Sequence, residues 1–84
     1  MDLKSLPFVK VNVNDIVTDF WNVEPTHDYQ ADCATGRSYF VQLYRAMQSN
    51  PTLYNSVVQA IVLRAQWTGV EIGFFQAASN ELTA

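Results

Sequence analysis

A chain of 84 residues that is 49% hydrophobic, with five Phe, four Tyr and two Trp, has the composition of a folded globular domain and excludes a disordered one. Five Lys and Arg against eight Asp and Glu leave a net charge of −3, which argues against nucleic acid and against an anionic membrane surface as partners. The single cysteine, Cys33, excludes an internal disulfide framework, and no apolar run reaches bilayer length.

No cationic start leads into an apolar segment, so a secretory signal is not expected and the default is a soluble cytoplasmic protein. Only 15% of residues are charged, low enough to suggest that part of the surface is covered by something else.

Residues 1–11 are interrupted by Pro7. Val9, Val11 and Val13 then alternate with Lys10 and Asn12 in a strand-like rhythm. With no second strand evident, this stretch is expected to be an extended N-terminal arm lying over helices, or else to pair with another copy. A first helix is predicted over 13–22, capped by Asn12, with Val13, Ile16, Val17, Phe20 and Trp21 on one stripe. Glu24-Pro25 ends it.

A second helix is predicted over 28–49 from a cap within Thr26–Asp28, with Cys33, Gly36, Phe40, Leu43, Tyr44 and Met47 inward. Gly36 is either a break in it or a place of close approach. Asn50-Pro51 opens a third helix over 51–65. Thr68-Gly69-Val70-Glu71 is a capping box that opens a fourth over 69–82, with Trp67 and Ile72 placed to clamp its entry. The expected fold is therefore all-α: one helical domain over 1–84, a compact bundle of about four helices behind an extended arm.

At about 100° per residue, the apolar arcs of helices two, three and four each span on the order of 200°, about twice what a surface helix needs. Only one helix can be central in so small a bundle. The surplus points to a protein partner or self-association. Trp67, Phe74 and Phe75 are the candidate anchors, since large aromatics dominate interface energies, with core packing as the competing reading. Arg37, Arg64 and Glu71 fall inside the wide arcs. Either the arginines snorkel and Glu71 closes its capping box, or an Arg37–Glu71 or Arg64–Glu71 ion pair fixes helix packing or holds an anionic ligand group.

Glu24, His27, Asp28 and Asp32 could contribute to a divalent-metal site, and a metal-binding protein or minor hydrolase using residues 24–32 is the alternative function. His27-Asp28 resembles the histidine–aspartate pair of metal-dependent phosphohydrolases, a family that needs further histidines this chain lacks. Asp15, Asp19, Glu24, Asp28 and Asp32 also form a run of acids without an intervening Lys or Arg. Asp28 and Asp32 are thus candidates for docking a basic partner.

Cys33 and His27 have no evident third group to orient them, and the three glycines form no phosphate-binding pattern. The last two helices are not a DNA-reading pair, because the second carries no basic residue. No catalytic residue, resident metal or cofactor is assigned. The expected function is a non-enzymatic interaction or regulatory module working through apolar helix surface.

Overall fold

Among the described residues, three helices and a small antiparallel hairpin, rather than four helices, make up the fold. It is taken from a computed structural model that describes residues 5–83 and, for 82 and 83, the backbone alone. In chain order the elements are β1 (Lys10–Val11), β2 (Val17–Asp19), α1 (Tyr29–Ala46), α2 (Leu53–Arg64) and α3 (Gly69–Thr83). Residues 1–4 of the expected N-terminal arm lie outside the described residues.

The predicted helix over 13–22 is replaced by the hairpin. Asn12 does satisfy backbone donors, but in a turn: its Oδ1 accepts from the N–H of Asn14 at 2.8 Å and of Ile16 at 3.0 Å. The Asn12 N–H in turn donates to the Ile16 carbonyl at 2.9 Å, which closes the loop. Asp15 takes a φ of 62°, a left-handed conformation that Asp tolerates better than most side chains. The strand-like alternation thus finds its partner within the chain, Lys10 opposite Asp19 and Val11 opposite Val17. Thr18 is the extra residue of a bulge, and its hydroxyl donates to the Lys10 carbonyl at 3.2 Å. Val, Ile and Thr dominate residues 13–18 and suit a strand at least as well as a helix, so context decides.

Beyond β2 the chain runs without regular structure to α1 and delivers Trp21 into the core. Leu6 and Phe8 are buried as well, so the described part of the arm does cover the helices. Asp28 caps α1, its Oδ1 accepting from the Ala31 N–H at 3.2 Å. The helix continues through Gly36 and ends at Ala46, with residues 47–49 in turns. Pro51 and Thr52 form the turn into α2, which stops where Ala65 becomes left-handed at φ 53°. The α3 boundary at Gly69 matches the capping box.

Glycines set the relation between α1 and α3. A Cβ on Gly73 would stand under 3.0 Å from the carbonyl oxygen, carbonyl carbon and Cα of Cys33. One on Gly36 would meet the Val70 carbonyl and the Phe74 N–H as closely, and one on Gly69 the Tyr29 carbonyl. Contacts climb both helices together, from Tyr29 against Gly69 to Phe40 against Phe74, so α1 and α3 run parallel, backbone against backbone. The helix α2 carries the chain back between them. Trp21, Phe8, Phe40, Leu43, Val57, Ile61 and Phe74 fill the core, with Trp21 edge-on to Phe74 at 4.9 Å between ring centres. Among the described residues no helix is long and apolar enough to cross a membrane.

Candidate functional site

The parallel packing brings the N-termini of α1 and α3 to one end, where both helix dipoles are positive. Two buried carboxylates occupy that end. Glu71 is wholly inaccessible. Its Oε1 accepts from the Thr68 N–H at 2.6 Å and the Thr68 hydroxyl at 2.5 Å, and its Oε2 from the Trp21 indole N–H at 2.8 Å. The Thr68 hydroxyl oxygen accepts from the Val70 N–H at 3.3 Å. The capping box thus forms in a modified version that also ties down the segment leaving the hairpin.

The expected ion pairs with Glu71 are corrected by this arrangement. Arg64 pairs with Asp19 across the β2–α2 gap, and Arg37 donates to Gln76 at 3.4 Å. Among the described residues, three hydrogen bonds meet the Glu71 carboxyl group at a helix N-terminus. A buried indole N–H does need an acceptor, but fifty residues separate Trp21 from Glu71, beyond the reach of any local pattern.

Asp32 is the second buried carboxylate. It accepts from the Thr26 N–H at 3.1 Å and the Thr26 hydroxyl at 2.7 Å, fixing the turn before α1. Asp28 caps that helix. Asp32 is therefore unavailable to a basic partner, and both acids serve the local fold. Alanine at Asp32 is expected to lower stability by about 1–3 kcal/mol, since two donors of Thr26 lose their acceptor. A urea midpoint equal to the wild type would return Asp32 to the status of a surface acid.

Glu24 and His27 are exposed, and His27 sits at φ 71°. Among the described residues no group of three or more His, Cys, Asp or Glu side chains stands together as a metal would require. A shallow depression of about 250 Å³ at this end is lined by Pro25, His27, Tyr29, Asp32, Thr68 and Gly69. Cys33 is buried as a free thiol, and its hydrogen bond with Tyr29 raises the Tyr29 phenol above its ordinary value.

The aromatics named as anchors separate. Phe74 is in the core with no exposed surface and is corrected to a packing residue. Phe75 is half-buried, and Trp67 lies exposed beside it at 5.9 Å between ring centres.

The larger apolar surface is on α2. Only Leu53, Val57 and Ile61, a stripe at i, i+4 and i+8, are buried there. Leu63 is left 86% exposed and Val62 59%. Val58, Gln59, Val62 and Leu63 line a depression of about 260 Å³. Beside it a groove of about 500 Å³ separates β2 from α2, with Val17, Phe20, Ala60 and Leu63 in its wall and Asp19–Arg64 bridging it. The over-wide arc of this helix was visible in sequence, but which half faced outward was not. No family model, curated protein or solved structure matches this chain.

Proposed function

We propose that this protein is a protein–protein interaction module whose contact surface is the outward face of α2 with the adjoining β2–α2 groove. The observation that carries this reading is the exposure of Val62 and Leu63 side by side on a helix that buries only three residues. Apolar surface left in water forgoes roughly 25 cal/mol per Å², so a face of this kind has a reason to be covered. The Trp67–Phe75 pair is a second, smaller apolar shelf. The acidic balance of the chain favours protein over nucleic acid as the partner. A buried, unpaired cysteine supports residence in a reducing compartment such as the cytoplasm.

The test is a photoreactive phenylalanine analogue placed in source cells at Leu63 and, as a control, at exposed Glu81. Adducts are expected from position 63 and not from 81. Equal labelling at both, or none at 63, would remove α2 as the contact surface.

A further inference from the structure

Away from α2, side chains of α1 and α3 line a depression of about 360 Å³: Tyr29, Gln30, Cys33, Arg37 and Gln76. At about 100° per residue, positions 29, 30, 33 and 37 fall within a single arc of about 100° on α1, on successive turns. Gln76 meets Arg37 from α3 because the glycine seam holds the two helices at backbone contact. Every lining side chain is polar or a thiol, and none is acidic. The depression shares no residue with the α2 surface or the β2–α2 groove.

Arg37 decides what such a place can hold. With eight acids to five bases, the chain has carboxylates enough for each base, as Arg64 finds in Asp19. Among the described residues Arg37 pairs with no acid. Its guanidinium makes one long bond, 3.4 Å, to the neutral amide oxygen of Gln76. The acids next along the two helices, Asp32 and Glu71, are buried and bonded to Thr26 and Thr68, so they do not meet this charge. The fork of a guanidinium matches the two oxygens of a carboxylate. The Gln30 and Gln76 amides both donate and accept. The Tyr29 phenol, raised above its ordinary value by Cys33, stays a protonated hydroxyl and adds no negative charge. One cation with no second beside it balances a single negative charge better than the nearly double charge of a phosphate. We infer that this depression binds a small carboxylate monoanion bearing a neutral polar group, with Arg37 on the carboxylate and the Gln30, Gln76 and Tyr29 side chains on the polar end. The site is open to water, so dissociation is expected in the millimolar range.

N-acetylglycine, a carboxylate with one amide, is the probe, titrated to about 100 mM into the isotope-labelled full chain at fixed ionic strength. The side-chain resonances of Arg37, Gln30 and Gln76 are followed by NMR. Saturable shifts are expected at those groups, and N-acetylglycinamide, the uncharged counterpart, should produce none. Arg37→Gln should weaken binding by about tenfold or more, with melting unchanged because position 37 is exposed. Arg37→Lys keeps the charge without the fork and should fall between the two. Inorganic phosphate at the same ionic strength should bind more weakly than the probe. Shifts that rise without saturating, equal shifts from the uncharged amide, or wild-type affinity in Arg37→Gln would overturn the site. Tighter binding of phosphate would overturn its assignment to a carboxylate. The α2 reading stands or falls separately, on the adducts at Leu63.

Discussion

Alanine at Gly73 is expected to cost more than about 3 kcal/mol, although alanine is the better helix former by about 1 kcal/mol. The two effects have opposite signs, which makes the substitution decisive. Propensity alone would raise the melting temperature. Packing forbids it, because the new methyl would stand under 3.0 Å from three backbone atoms of Cys33, and backbone cannot swing aside as a side-chain tip can. Overpacking commonly costs about 1–3 kcal/mol where side chains yield, and here the two helices must separate. A chain of this length has a total stability of roughly 4–13 kcal/mol, so Gly73→Ala should melt far below the wild type or fail to fold. Gly36→Ala meets the Val70 carbonyl in the same way and should behave alike. Ser38→Ala, on the exposed side of α1, is the control and should change little. Circular dichroism with heat and urea reads all three. A Gly73→Ala protein as stable as the wild type would contradict the close parallel packing.

The second large effect is expected at the Trp21–Glu71 bond. Trp21→Phe removes the donor and leaves a buried carboxylate oxygen short of a partner, at a cost of about 1.5–3 kcal/mol. Glu71→Gln keeps the volume but offers one accepting oxygen to groups that engaged two, and turns its amide donor toward the others. Its cost should be similar or larger. The double variant should be less destabilised than the sum of the singles, with a coupling of about 1–2 kcal/mol in a cycle read by circular dichroism. Strict additivity would mean that the indole and the carboxylate do not meet in solution.

The C-terminal half was readable because its signals are local. Thr68 and Glu71 are three residues apart, Asn50-Pro51 is a dipeptide, and each sits within a residue or two of a real boundary. The hairpin was not readable. Val13, Ile16, Val17, Phe20 and Trp21 satisfy the helical period, yet Val13 is 98% exposed and only Trp21 is fully buried. What decides against the helix is Asn12 bonding Asn14 and Ile16, together with a remote acceptor for Trp21. The former is a choice among local turns, and the latter lies in the last helix. The wide arc of α2 correctly indicated surplus apolar surface. Its direction was set by where α1 and α3 stand, and no residue of α2 encodes that. Phe74 and Leu63 illustrate the limit: the larger side chain, an expected anchor, went inward, and the unremarked leucine went out.

The glycine seam also bears on how quickly the chain can fold. Gly73 and Cys33 are about forty positions apart, so their backbones meet only after a long loop has closed. At the glycines the closest approach is backbone on backbone, so a partial approach of the two helices gains little there. The closure entropy is therefore spent before the reward arrives, and folding should be slower than in an up-and-down bundle of the same size, where neighbouring helices meet first. Most of the barrier then belongs to bringing the ends of the helical region together, with α2 as the tether whose length sets that search.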